Sequence, residues 1–206
     1  MQHLLNLKGC IAVNKILLTD CDGVLLDWEA KFETFATRLG YKFKDNYANT
    51  YSIGEQLGVS HEVSHDLIAK FNASSDFESI TPWRDSVNGI ARLKAEGWKI
   101  IIITTAGLHP WTYGLRRSNL DRVFGEGAID ELYVLELHSD KGVELEKYKD
   151  SGLYWVEDKP SNAELGLKYG LKPLLMNNPH NSSYTGGLTR VNNWEDIYNI
   201  INDTTI

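Results

Sequence analysis

Lys15-Ile16-Leu17-Leu18-Thr19-Asp20-Cys21-Asp22-Gly23-Val24 is the stretch on which the reading of this chain turns. An apolar run that stops abruptly in acidic residues and glycine suits a buried parallel strand, Lys15 to Thr19, whose C-terminal end opens into a loop. Two carboxylates two residues apart at such a strand end can converge on one cation and one substrate atom. A solvated turn is the plain alternative, since Asp and Gly are common turn formers. The rest of the chain has to decide.

Working outward, Lys99 to Thr104 is a second apolar run. It follows a helix pattern with Val87, Ile90 and Leu93 on one face and Gly97 at the C-terminus. Pro110 suits the first turn of a helix reaching about Val123, and Leu132 to Leu137 reads as a strand. Leu153 to Val156 repeats the strand pattern, Ser161 to Tyr169 is helical and closed by Gly170, and Leu171 to Met176 is again a strand. The amphipathic segment Trp194 to Ile201 follows. This alternation predicts an α/β fold, a doubly wound parallel sheet. Between about Trp28 and Ile80 the alternation breaks, and the patterns around Phe32 to Leu39 and Val63 to Phe71 are both helical. The expected division is a core at 14–27 and 81–206, a small helical cap at 28–80 inserted after the first strand, and an N-terminal extension at 1–13. Asn177 to Gly187 reads as an ordinary loop by composition.

With 206 residues, 42% of them hydrophobic and six Trp, the chain is long enough for one sizeable core and too short for two large domains. A formal net charge of −7 argues against a broad grip on a nucleic-acid polymer or an anionic membrane surface. Any phosphate-bearing partner must therefore meet local positive charge. Only Cys10 and Cys21 occur, the latter inside a turn badly placed for a bridge, which points to a reducing, cytoplasmic setting. Met1 to Asn14 lacks the marks of a signal peptide, and no span approaches membrane length. The sequons at Asn72, Asn181 and Asn202 read as chance.

Later strand ends add to the first. Thr104-Thr105 offers a hydroxyl and backbone N–H groups where a phosphate can sit, although a Thr closing a strand is individually weak evidence. Ser139-Asp140-Lys141-Gly142 opens a helix with a lysine able to neutralise a phosphoryl group, and Glu157-Asp158-Lys159-Pro160 is another acidic strand end. In an open parallel sheet, ligands bind beyond the C-terminal ends of the strands, so these separated segments can meet at one place.

The set resembles the haloacid dehalogenase superfamily from Asn14 onward: Asp-x-Asp-Gly, a strand ending in Thr, a Lys, and a late acidic pair. That resemblance implies a phosphatase in which Asp20 is the nucleophile and Asp22 the general acid/base. It implies Mg2+ held by Asp20, the backbone carbonyl of Asp22, and Asp158, with Glu157 assisting from behind. Thr104, Thr105 and Lys141 would bind the phosphoryl oxygens. An acid at position 22 points to phosphoryl rather than dehalogenase chemistry, since a halide leaving group needs no proton. In finer detail, Asp20 through Trp28, Ser139-Asp140-Lys141, Pro179-His180-Asn181 and Val191-Asn192-Asn193-Trp194-Glu195 are similar to the 5′(3′)-deoxyribonucleotidase branch. Glu157-Asp158 departs from the two aspartates many of its members carry. By that resemblance Trp28 faces the cap and Phe77 stands across the substrate, so that a nucleobase stacks between them; core packing is the alternative for each. The implied substrate is a nucleoside monophosphate, or otherwise a sugar phosphate or another small phosphorylated metabolite.

Two competing readings concern other classes. His61-Glu62-Val63-Ser64-His65 matches the H-E-x-x-H pattern of zinc peptidases, but Asp66 follows it and no third ligand is recognisable in the sequence. A catalytically silent binding module predicts loss of a main carboxylate, and none is missing. His109 and Arg116-Arg117 follow Thr105 and could approach the phosphate or the leaving group, but an exposed loop His and a basic helix face explain them as easily. Asp121 to Glu131 lacks the alternating ligands of a calcium loop.

Overall fold

Leu17, Leu18 and Thr19 are wholly buried because strand β1 (Ile16–Thr19) runs through the interior of a six-stranded sheet, every pair of which is parallel. The computed structural model describes residues 15–203. The expected extension at 1–13, and Cys10 with it, lies outside the described residues. From β1 the chain steps outward to β2 (Lys99–Thr105) and β3 (Glu131–Leu135). It then returns to the other side of β1 with β4 (Tyr154–Glu157), β5 (Lys172–Met176) and β6 (Thr189–Val191), giving the order β3-β2-β1-β4-β5-β6. The direction of winding thus reverses between β1 and β4, and a crevice opens at such a point beyond the strand ends.

Period-two alternation sends successive side chains to opposite faces. Leu17, Ile100 and Ile102 join one apolar cluster, while Leu18, Ile101, Ile103 and Trp155 join a second. Both faces are covered by the crossover helices α4 (Ser86–Ala95), α5 (Pro110–Phe124), α6 (Gly142–Leu145) and α7 (Pro160–Lys168), and by the final α8 (Trp194–Asn202). Three earlier helices, α1 (Trp28–Arg38), α2 (Ile53–Leu57) and α3 (His61–Asn72), lie in the segment between β1 and α4 where the insertion is expected.

Each helix of the insertion starts on a side-chain cap: Asp27 accepts from the Ala30 N–H, Ser52 from Glu55, and Ser60 from Val63. Phe32, Phe35 and Phe71 pack against one another with ring centroids 5.2–6.5 Å apart, joining α1 to α3. Entry and exit are clasped together, since Asp27 N–H donates to the Thr81 carbonyl at 2.9 Å and Trp83 N–H to that of Leu25 at 2.8 Å. The apolar cluster is continuous from Leu17 and Val24 into Phe32 and Phe71.

Three expectations are corrected. Val87 is 38% exposed, and the inward stripe of α4 is Ser86, Gly89, Ile90 and Leu93. The third strand ends at Leu135 rather than Leu137. A sixth strand follows the loop after β5, its three residues too few to show alternation in the sequence.

Gly89 faces Trp194 of α8, where an added Cβ would stand 2.5 Å from the Trp194 Cβ. Trp194 is wholly buried and its indole N–H donates to the Val24 carbonyl at 2.8 Å, so the same contact supports the loop after β1. Gly89→Ala is expected to lower stability by about 1–3 kcal/mol through overpacking. Urea unfolding monitored by Trp fluorescence measures this, and an unchanged midpoint would mean that α8 shifts freely.

Candidate active site

The reversal point holds the acidic residues. Thr19 pairs in register with Val156, and the Asp20 N–H donates to the Val156 carbonyl at 2.8 Å, which sets Asp20 beside Glu157. Asp20, Glu157 and Asp158 each place a carboxylate oxygen within 4.8 Å of the others, and all three are buried. Lys141, 1% exposed at the start of α6, sits between two of them, its Nζ 2.8 Å from Asp20 Oδ2 and 2.7 Å from Glu157 Oε1. Gly23 makes the close packing possible. With φ at +72° and no side chain, it lies where a Cβ would fall 2.2 Å from Asp158 Oδ2.

The carboxylates differ in what already satisfies them. Glu157 Oε2 accepts the N–H groups of Asp158 and Lys159 at 2.9 and 2.8 Å, and Oε1 accepts Lys141 and, at 2.8 Å, Asn162. Burial works against its charge, but Lys141 and these donors hold Glu157 below the usual range. Asp20 Oδ1 accepts only the Cys21 N–H, at 2.7 Å, besides the Lys141 contact on Oδ2. Burial raises Asp20 to about 7 against the pull of Lys141, with Glu157 adding to the rise. Burial, then Glu157 and Asp20, push Asp158 well above the ordinary carboxylate range. One lysine therefore faces three carboxylates. A hard cation with oxygen ligands fits the side of the cluster where Asp20 and Asp158 lack strong donors, and Glu157 is already saturated.

Asp22 is arranged differently. Its Oδ2 accepts from Arg116 Nη2 at 2.7 Å, and Arg116 is wholly buried on α5 with its guanidinium 4.0 Å above the Phe77 ring. Burial raises Asp22 above its usual value although Arg116 opposes this. Asp22 Oδ1 and the Arg116 Nε and Nη1 atoms find no protein partner among the described residues.

Thr104 and Thr105 lie at the end of β2. Since Thr19 pairs with Ile102, Thr104 stands two residues further on, level with the loop after β1. Thr104 is buried, and Thr105 is half-buried. Trp28 is half-buried, stacked on Phe32 with centroids 4.6 Å apart, and donates its indole N–H to Asn72 Oδ1 at 3.0 Å. Phe77 departs from expectation: it is wholly buried, with Arg116 over its ring and Phe71 at its edge, so no face is free for a base. His109 is a cap, its Nδ1 accepting the Trp111 N–H at 3.3 Å.

The segment after β5 is more than the ordinary loop its composition suggests. Asn181 is buried and donates to the Asp158 carbonyl at 2.7 Å, while Asn178 donates to the Gly23 carbonyl at 2.9 Å and reaches Asp158 Oδ2 at 3.4 Å. His180 Nε2 stands 3.4 Å from Asp158 Oδ2, and the Tyr51 ring packs edge-on against His180 at 5.2 Å. These residues orient Asp158 from behind. Asn72, buried at the end of α3 and bonded to the Ala106 carbonyl at 2.9 Å, is closed to glycosylation.

Residues 14–205 match the family described as 5′ nucleotidase, deoxy (pyrimidine), cytosolic type C. The chain belongs to this family. Over 139 residues it is 27% identical to an uncharacterized 32.4 kDa protein of Enterobacteria phage T4, a match covering 65% of this chain and 49% of that protein, so the chain spans about half the length of that relative. A haloacid dehalogenase-like family hydrolase from Streptococcus pneumoniae shares the fold with a TM-score of 0.65 at 10% identity, over 91% of this chain and 98% of that one. D,D-heptose 1.7-bisphosphate phosphatase from B. bronchiseptica, complexed with magnesium and phosphate, does so with a TM-score of 0.55 at 13% identity, over 91% and 97%. The 5′ nucleotidase family membership and this fold agree with the resemblance carried by Asp20, Thr104, Lys141 and Asp158. No helix among the described residues is long and apolar enough to cross a membrane.

Raised carboxyls keep their protons in the folded state over a pH range in which the unfolded chain, at about 4, has lost them. Stability without divalent cation is therefore expected to fall as pH rises from about 4 to about 7. Asp158→Asn removes part of the repulsion and is expected to raise the metal-free Tm at pH 7, and to lack the rise in Tm expected of the wild type on adding magnesium. Calorimetry of both proteins with and without magnesium reads this directly. A magnesium-induced rise retained in Asp158→Asn would count against the metal assignment.

Proposed function

We propose that this chain is a phosphatase of the haloacid dehalogenase type, hydrolysing a small phosphomonoester, foremost a nucleoside monophosphate, through an aspartyl-phosphate on Asp20. The observation that carries the reading is Asp20 beside Lys141 at the reversal point of the sheet, with a second carboxyl, Asp22, two residues on. In the first step an Asp20 carboxylate oxygen forms a bond to phosphorus as the ester P–O bond breaks, and Asp22 passes its proton to the leaving alkoxide. A water then attacks phosphorus, Asp22 takes its proton, and phosphate leaves with Asp20 restored. An Asp22 that burial holds above the usual carboxyl range suits a group that must carry a proton to donate.

Lys141 offsets the repulsion between the Asp20 carboxylate and an anionic substrate, and the Thr104 hydroxyl and Thr105 N–H are the groups assigned to the phosphoryl oxygens. Asp20, the Asp22 carbonyl and Asp158 would hold magnesium, which when bound supplies positive charge at the phosphoryl group. Glu157 fixes Lys141 from behind. The magnesium and phosphate named for the B. bronchiseptica phosphatase support this assignment by analogy of fold.

Residues 28–80 act as the cap and 81–203 with β1 as the core, the clasp at Asp27 and Thr81 serving as the junction. Nucleotide choice rests on the family match and on Trp28, whose one face is covered by Phe32. A base would meet the exposed part of the indole alone, without Phe77. The family's own description supports a cytosolic setting.

Asp20→Asn is expected to reduce magnesium-dependent turnover of every phosphomonoester to background while leaving the circular dichroism spectrum unchanged; retained turnover would reject the nucleophile. Trp28→Ala is expected to raise KM for nucleoside monophosphates about tenfold, in line with roughly 1–3 kcal/mol of stacking, and to spare p-nitrophenyl phosphate. Equal effects on both would remove the nucleobase contact, and a sugar phosphate turned over faster than any nucleotide would reassign the substrate.

A further inference from the structure

The H-E-x-x-H helix lacks a third ligand in sequence but gains one in space. His61 and His65 lie one turn apart on α3, and His138, from the loop after β3, closes a triangle with them. Ring centroids are 5.6 Å apart for His61 and His138, 5.6 Å for His65 and His138, and 6.3 Å for His61 and His65. A tetrahedral ion with Zn–N bonds of about 2.1 Å sets imidazole centroids roughly 5 Å apart, so side-chain rotation closes the remaining distance. Such rotation is open to these rings, because His61 and His138 are exposed and His65 is half-buried.

Two features prepare the site. His138 has φ at +59°, a left-handed conformation rare for a residue with a side chain, in a turn tied by the Ser139 N–H and hydroxyl to the Glu136 carbonyl at 3.1 and 2.8 Å. The Asp66 carboxylate stands 3.8 Å from His65 Nδ1, beyond hydrogen-bond reach, so the His65 ring can turn either nitrogen toward a metal.

We propose that His61, His65 and His138 form a transition-metal site, taking Zn2+ with water in the fourth position and clamping the helical insertion to the core. It is separate from the acidic cluster, which offers oxygen ligands to a hard cation. The clamp joins α3 to the segment that leads, three residues later, to Lys141.

The test is calorimetric titration of Zn2+ into untagged protein in a buffer with excess magnesium, for wild type, His138→Ala, His65→Ala and Asp158→Asn. Wild type and Asp158→Asn are expected to bind one equivalent alike, while His138→Ala and His65→Ala lose at least about tenfold in affinity. Co2+ in place of Zn2+ should give the visible bands of a four-coordinate ion in wild type and lose them in His138→Ala. Zinc affinity unchanged in His138→Ala would overturn the site, and so would loss of zinc in Asp158→Asn with retention in both histidine variants. None of these readouts depends on phosphatase turnover, so failure here leaves the acidic site untouched.

Discussion

Lys141 is enclosed between Asp20 and Glu157, with Asp158 beside them, and this shortage of positive charge governs the rest of the molecule. Burying ionised groups is costly unless each is matched, and here one ammonium meets two carboxylates while a third stands beside them. Glu157 is matched by four donors from its surroundings. Asp20 and Asp158 are left with charge that only a proton or a cation can balance. With a formal net charge of −7 on the chain, any anionic partner has to meet positive charge locally, at groups such as Lys141.

The scaffold exists to hold that imbalance in place. β1 and β4 are adjacent and parallel at the point where the winding reverses, so the residues that leave their ends face the same crevice. Gly23 permits the loop after β1 to touch the Asp158 carboxylate, and Trp194 reaches across from α8 to brace the Val24 carbonyl of the same loop. Arg116 does for Asp22 what Lys141 does for Asp20, from a different helix and wholly out of solvent. The two acids of the motif are thereby separated in role by their partners: one against a lysine and the cation side, the other against an arginine above an aromatic ring.

How much of this was legible in the sequence follows from what each residue's position depends on. Asp20, Thr104, Lys141 and Asp158 sit at the ends of apolar runs, and a parallel sheet brings all such ends together, so a one-dimensional pattern suffices. Arg116 reads from sequence as part of a basic helix face, because a basic residue on a helix shows nothing of the carboxylate 94 positions earlier that it meets. Asn178, His180 and Asn181 were hidden in a segment whose composition is that of any loop, though Pro179-His180-Asn181 had drawn attention as a pattern. Phe77 differs for the same reason in reverse, since an aromatic side chain in a short helical turn, Phe77–Ser79, is equally a core residue or a binding face until its neighbours are known. His138 had no sequence signal at all, because its relation to His61 and His65 is created by the packing of the insertion on the core.

The most direct measurement is a crystal structure of the wild-type protein soaked with Mn2+, with anomalous diffraction used to locate the ion. The account predicts one strong anomalous peak between the Asp20 and Asp158 carboxylates, within bonding distance of both, with Lys141 still against Asp20 and Glu157 outside the coordination sphere. A peak elsewhere with the three carboxylates unoccupied, or Asp158 turned out of the crevice, would contradict it.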